Sequence, residues 1–184
     1  CCLQQKFIYW VFQDDKSNTV KEKIVFNKDY RLINRFYFPV EEGKNAVVDH
    51  IIFGEKYFYI VMSRYFDGTI GGNLDDKSFV YTPRKGKKQY TDNPYKLLSY
   101  VLARISTSCG IDKRLLIGIM LTNNSCDNLA EAEYESYFVC KKKNLAKLIS
   151  KIEHRNIGRL NDEQLQQAVL TMDSMNRKNN GNKR

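Results

Sequence analysis

Two short apolar runs constrain this chain more than any other feature. Tyr57-Phe58-Tyr59-Ile60-Val61-Met62 and Leu115-Leu116-Ile117-Gly118-Ile119-Met120-Leu121 are unbroken in apolar residues apart from one glycine, and each is only a few residues long. A strand with one face in water alternates apolar and polar side chains, so an unbroken run calls for cover on both faces, as in a central strand between helices. A short buried helix would satisfy the same run, and the neighbouring segments favour strands. Tyr30-Arg31-Leu32-Ile33-Asn34-Arg35-Phe36-Tyr37-Phe38 is aromatic and branched and stops at Pro39, Glu41 to Asn45 reads as a turn, and Ala46 to Phe53 is a second strand ending at Gly54.

Downstream, Asp67-Gly68-Thr69-Ile70-Gly71-Gly72-Asn73 and Asp75-Asp76-Lys77 carry turn chemistry around a hairpin whose return strand is Ser78 to Thr82. Pro83-Arg84-Lys85-Gly86-Lys87-Lys88 is a basic loop. The period becomes helical after Asn93-Pro94, with Asn93 placed to cap and Leu97, Leu98, Val101, Leu102 and Ile105 on one face. Tyr137 to Cys140 reads as a further strand, Leu145, Leu148, Ile149 and Ile152 as one helix, and Leu165, Ala168, Val169 and Met172 as a last helix opened by Asp162. From Asn176 the tail has no apolar residue and four positive charges, and is expected without fixed structure. The chain thus divides into an N-terminal segment at 1–26, an α/β domain with a mixed central sheet flanked by helices at 27–155, a C-terminal helix at 156–175 and a basic tail at 176–184.

Length and composition narrow the function classes. At 184 residues the chain is one domain with a short appendage, and its 12 Tyr and 10 Phe can close a core. A formal net charge of +9 makes polyanions, nucleic acid or anionic lipid, the partners to consider. No apolar run approaches the roughly 18–20 residues that cross a bilayer. The five cysteines, at 1, 2, 109, 126 and 140, form no CxxC pair and have no histidine at zinc spacing, so they read as reduced thiols and argue for the cytoplasmic side. The chain begins at Cys1, and Cys1-Cys2 before Phe7-Ile8-Tyr9-Trp10-Val11-Phe12 fits either the cytoplasmic end of a preceding membrane anchor, a lipidated cysteine, or a helix or strand packed on the domain. The Lys-, Asn-, Ile- and Tyr-heavy composition is compatible with a low-GC bacterium.

The order of elements, with Val48-Asp49-His50-Ile51-Ile52-Phe53-Gly54, Tyr59-Ile60-Val61, Asp67-Gly68-Thr69-Ile70-Gly71-Gly72 and then Asn93-Pro94 opening a helix, resembles the NERD (nuclease-related domain) family over roughly Asn27 to Ile152. The resemblance implies a restriction-endonuclease-like fold. It also implies a site in which an Asp on the second strand and the Glu of a following Glu-x-Lys share Mg²⁺, while the Lys steadies water and phosphate charge. Asp49 takes the first acidic position, with His50 beside it, whereas the Glu-x-Lys position falls on Met62-Ser63-Arg64. A thioether does not replace a carboxylate toward Mg²⁺, and Arg64 keeps the charge without the geometry of Lys. Leu97 stands where the family carries a Gln after the Pro, and Glu22 is the only candidate for an early family Glu.

Each candidate has two readings. Asp49 is a residual metal ligand or a strand carboxylate accepting hydrogen bonds, and His50 is a base or a packing residue. Glu55, Asp67, Asp75 and Asp76 could supply a migrated ligand or serve ordinary turns. Arg84, Lys85, Lys87, Lys88, Lys141, Lys142 and Lys143 are a phosphate-binding surface, with Tyr81 and Tyr90 able to stack on unpaired bases, or they are solvated charges. Three functions follow: a catalytically impaired nuclease-fold module that binds nucleic acid or protein, an active Mg²⁺-dependent nuclease with a relocated acidic ligand, or a scaffold tethered at the cytoplasmic face of a membrane that docks another protein.

Overall fold

A computed structural model describes residues 8–11, 22–25, 31–41, 44–128, 134–156 and 160–181. Two short strands, β1 (Ile8–Val11) and β2 (Glu22–Val25), pair antiparallel. The apolar N-terminal stretch therefore contains a strand; Cys1 and Cys2 lie outside the described residues. Among the described residues no helix is long and apolar enough to cross a membrane.

The body is a five-stranded mixed sheet. It contains β3 (Arg31–Glu41), β4 (Lys44–Phe53), β5 (Phe58–Arg64), β9 (Leu116–Thr122) and β11 (Tyr137–Lys141), in the order β11-β9-β5-β4-β3. The two apolar runs are its adjacent central strands β5 and β9, which pair parallel with Phe58 opposite Leu116 and Arg64 opposite Thr122. A smaller sheet joins β6 (Gly68–Gly71), β7 (Ser78–Pro83), β8 (Gln89–Asp92) and the two-residue β10 (Asp127–Asn128). The stretch expected only as turn before Ser78 therefore contains a strand. Gly68 permits it: its φ is 145°, and a Cβ there would stand 2.1 Å from the Thr82 carbonyl oxygen.

Three helices complete the layers. Helix α1 (Pro94–Cys109) begins where Asn93 Oδ1 accepts from Tyr95 N at 2.9 Å and ends at Gly110, whose φ of 65° suits the left-handed turn that closes a helix. Helix α2 is Leu145–Glu153 and α3 is Asp162–Gly181. Asn161 opens α3 reciprocally: its Oδ1 accepts from Gln164 N at 2.7 Å while its N donates to Gln164 Oε1 at 3.2 Å.

Both faces of the large sheet are buried. One face, with Phe36, Phe38, Ile51, Ile60, Met62 and Met120, packs on Leu98, Leu102 and Ile105 of α1 and Ala168 and Met172 of α3. The other, with Ile52, Tyr59, Val61, Ile119 and Leu121, packs on Leu145, Ile149 and Ile152 of α2. This two-sided cover is why β5 and β9 lack polar alternation.

One expectation is corrected. The tail expected without structure from Asn176 continues α3 to Gly181, while 182–184 lie outside the described residues. The reason is polar rather than apolar. Asn176 Oδ1 accepts from Tyr37 N at 2.8 Å, Asn179 Nδ2 donates to Tyr37 O at 3.3 Å, and Asn45 Nδ2 donates to Asn179 O at 3.1 Å. Two asparagines one helical turn apart thus meet the peptide N–H and carbonyl of Tyr37 on the edge strand β3.

Candidate functional site

Strands β5, β9 and β11 run parallel, so their carboxyl ends lie along one edge of the sheet, the edge at which open α/β sheets characteristically receive ligands. That edge brings together Ser63 and Arg64 from β5, Thr122, Asn123 and Asn124 from the end of β9, and Lys141 from β11, which lies opposite Thr122.

Asp49 reaches the same edge from β4. On β3 and β4, Asn34 faces His50 and Phe36 faces Val48, leaving Arg35 and Asp49 unpaired between them. Arg35 has a φ of 53°, the left-handed region that non-glycine residues seldom adopt. Across this irregularity the residues facing α1 and α3 switch from Ile33 and Ile51 to Phe36 and Val48, a change of strand parity. The β4–β5 ladder also stops at His50–Val61. Asp49 Oδ2 then takes over as acceptor for Ser63 N at 2.6 Å. Of the two readings of Asp49, the geometry supplies the carboxylate that accepts a backbone hydrogen bond.

His50 sits half-buried with Nδ1 2.7 Å from Asn34 Oδ1. Burial lowers its pKa below the usual histidine value, against a smaller upward pull from Asp49. Met62 is only 6% exposed and belongs to the apolar layer under α1 and α3. Arg64 is exposed, and its Nη1 donates to the Ser63 carbonyl at 3.1 Å. Ser63 Oγ is buried without a hydrogen-bond partner.

Mg²⁺ takes near-octahedral oxygen coordination, usually from one or two carboxylates plus waters and phosphate. Positions 49 and 62–64 offer one carboxylate, already engaged by Ser63 N, and one buried thioether. Among the described residues no three Asp, Glu, His or Cys side chains come together as could hold a metal ion. Positions 49 and 62 therefore do not supply the pair of carboxylates that the family resemblance implies for a shared Mg²⁺. Of the residues that could supply a migrated ligand, Asp67 pairs with Arg84 (3.5 Å) and Asp76 Oδ2 accepts from Asn73 N at 2.7 Å, while the side chain of Glu22, the candidate for the early family Glu, falls outside the described part of the chain.

The basic residues divide into engaged and free. Arg84 is anchored three ways: its N donates to Asp67 O at 2.8 Å, its Nε faces Asp67 Oδ1, and its Nη2 donates to Ser125 O at 3.2 Å. Lys141 Nζ lies 3.4 Å from Asp127 Oδ1. Lys142 and Lys143 belong to a single 3₁₀ turn, and Lys143 N donates to Asn124 Oδ1 at 2.9 Å with its side chain exposed. Lys85, Lys87 and Lys88 are exposed at the β7–β8 tip and form no ion pair among the described residues. Tyr81 is held inward, its hydroxyl between Asp67 N and O and its ring 5.3 Å from that of Phe66. Tyr90 stands 74% exposed.

Sequence reasoning places a polar loop through Asn123-Asn124 after the buried strand but misses that this loop joins the two basic clusters. Asn123 Oδ1 accepts from Phe66 N at 2.9 Å, and its Nδ2 donates to Ser125 Oγ at 2.6 Å. Asn124 then holds Lys143 and Ser125 holds Arg84, so residues far apart in sequence flank one four-residue loop, Asn123 to Cys126. The available signal was an Asn-Asn pair directly after a buried strand, which reads as a side-chain-stabilised turn. Among the described cysteines, Cys109 and Cys126 are buried and free, Cys140 is half-buried and free, and burial pushes Cys109 up to about 11 and Cys140 up to about 12.

No curated protein and no solved structure matches this chain. A family model, that of the nuclease-related domain, matches residues 15–121, which runs from upstream of β2 to the penultimate residue of β9 and leaves β11, α2 and α3 outside it. With more than half of its length matched, and with the mixed sheet and helical cover in place, the chain belongs to the NERD, or nuclease-related domain, family.

Proposed function

We propose that this chain uses a nuclease-related fold to bind nucleic acid without carrying out Mg²⁺-dependent phosphodiester cleavage. The observation that carries the reading is the fate of positions 49 and 62: the Asp49 carboxylate serves Ser63 N, and Met62 is buried in the apolar layer. The resemblance implies hydrolysis with two carboxylates holding the cation beside the phosphate, and these two residues do not make such a pair. Binding needs less. Exposed cations along one side, Arg64, Lys85, Lys87, Lys88 and Lys143, can displace counterions from a phosphate backbone whatever its sequence.

The test is binding and cleavage measured on the same preparation. Fluorescence anisotropy with DNA and RNA oligonucleotides should give association whose logarithm falls linearly with the logarithm of salt, and Lys85, Lys87 and Lys88 changed together to Ala should flatten that slope by up to about 2–3. Gel assays with Mg²⁺, Mn²⁺ or chelator should show intact substrate. Metal-dependent cleavage abolished by Asp49→Ala, or absence of any binding, would overturn the proposal.

A further inference from the structure

We propose that the β7–β8 hairpin reads single-stranded nucleic acid, with the Tyr90 ring stacked on an unpaired base and Lys85, Lys87 and Lys88 on the flanking phosphates. The inference rests on the nucleic-acid-binding reading and specifies its substrate class and its contact residues. Strand alternation sets up the surface. Phe79 and Tyr81 point inward, the first fully buried against Tyr95 (rings 5.5 Å apart) and the second against Phe66. Val80 lies between them on the opposite, outward face, and Tyr90 pairs with Val80.

Tyr90 therefore contributes nothing to the core. A ring left 74% in water on a sheet face is apolar area with a π-surface and no occupant within the described chain. It follows a turn whose cations are unpaired among the described residues, and whose tip is shaped by Gly86 at a φ of 122°. Beside Tyr90, β8 is the outer strand of its sheet, so a nucleic-acid strand can pass without meeting a neighbouring β-strand. The hairpin is also positioned, since Arg84 at its base is tied to Asp67 and to Ser125 beside the carboxyl edge of β9.

Charge complementarity selects a polyanion as the occupant, and the exposed ring selects among polyanions. In a duplex each base face is already covered by its neighbours, whereas a single strand offers faces that stack on aromatic side chains. An anionic membrane offers phosphate but no planar face for the ring.

The experiment uses the full chain with a fluorescent oligothymidylate of about 12 nucleotides, a duplex of about the same length, and phosphatidylserine vesicles. Tyr90→Ala should weaken the single strand about 5- to 150-fold, the range of one base stack, while Tyr90→Phe stays within about twofold of wild type. The duplex should change by less than about twofold. The salt slope should be unaltered by Tyr90→Ala but reduced by about 0.7 for each phosphate left unneutralised in Lys87→Ala or Lys88→Ala. Circular dichroism and melting of each variant identify loss of fold. If wild type binds oligonucleotides and Tyr90→Ala leaves the single strand untouched, or weakens both forms equally, the hairpin proposal falls and the binding reading survives. If wild type binds neither form, or only vesicles, both fall.

Discussion

The buried thioether at position 62 offers the most direct way to challenge the proposed reading of this site, because the carboxylate that the resemblance implies there can be introduced. Consider Met62→Glu, alone and with Arg64→Lys. Met62 is 6% exposed within the layer formed by Ile60, Ile51 and Leu98, so the change forfeits about 1 kcal/mol of apolar contact, the longer Glu methylenes retaining part of it. The larger cost is electrostatic. Burial raises a carboxyl pKa, and Asp49, whose carboxylate lies at the adjacent Ser63 N, adds repulsion. A rise of about two to three units from the ordinary 4.3 costs about 3–4 kcal/mol at neutral pH, for a total near 4–5 kcal/mol. The sign follows from linkage: a carboxyl with a raised folded-state pKa destabilises fully above that pKa and not at all below its unfolded value, so stability is lost as pH rises from about 4.3 to about 7. Urea unfolding in chelator should therefore give a much lower midpoint for Met62→Glu than for wild type at pH 7.5, and a difference of only about 2 kcal/mol at pH 5. Mg²⁺ at millimolar concentration should leave the variant's midpoint where it was, and neither variant should cleave nucleic acid. A variant as stable as wild type at pH 7.5 would refute the burial argument. Mg²⁺-restored stability accompanied by cleavage would show that the metal site needs only its missing carboxylate.

Three further outcomes are expected. Asn93 is buried, caps α1 through Oδ1, and donates through Nδ2 to the carbonyls of Asn73 (2.9 Å), Leu74 (3.1 Å) and Asp76 (2.7 Å). Asn93→Asp keeps the cap but turns an acceptor toward three acceptors, so thermal melts should show a loss of about 3 kcal/mol or more, and a wild-type melting temperature would mean the cap alone matters. Asn176→Ala leaves Tyr37 N without its partner and should cost about 1–2 kcal/mol by chemical denaturation, with earlier-eluting oligomers in gel filtration if the strand edge becomes available. His50, its pKa lowered by burial, should titrate by NMR below the ordinary 6.5; the folded state takes up its proton later than the unfolded one, so stability is full above about pH 6.5 and declines as pH falls through the interval between the two values.

Much of the architecture was legible because the strongest signals were periodic and local. The apolar runs gave β5 and β9, Gly54 marked the end of an aromatic strand, and Asn93-Pro94 announced α1, since each depends on neighbours a few residues away. Strand β3, by contrast, does not stop at Pro39 as expected but runs through it to Glu41, Pro39 pairing with Asn45 on the outer strand of the sheet, where a proline is tolerated. The strand Gly68–Gly71 was hidden by its own glycines, which serve close backbone approach to Thr82 and yet read as turn residues. The far end of α3 was hidden for a different reason. Asn176 and Asn179 have low helix propensity and no apolar face; what holds them is the peptide of Tyr37, more than a hundred residues away, and no window along the chain contains both partners. At the candidate site, the apolar character of Met62 could be read directly. The re-aiming of Asp49 beside the Arg35 irregularity, and the tying of Arg84 and Lys143 to one loop, are tertiary facts that appear only once the strands are laid side by side.

The asparagine clamp on Tyr37 bears on where this module ends. The family match closes at Leu121, but the hydrogen bonding of the sheet does not: the amide side chains of a helix some sixty residues later take up the outward N–H and carbonyl of Tyr37. A fragment cut at the end of the match would carry a recognisable sequence and an unfinished sheet, lacking β11 on one flank and the helical amides on the other. Such a piece has two ways to complete itself, by ordering against another copy or by unfolding, and neither reports on the parent. A fusion or a split reporter built from this chain should therefore keep α3 to Gly181, so that the amides that meet the Tyr37 peptide stay with the sheet.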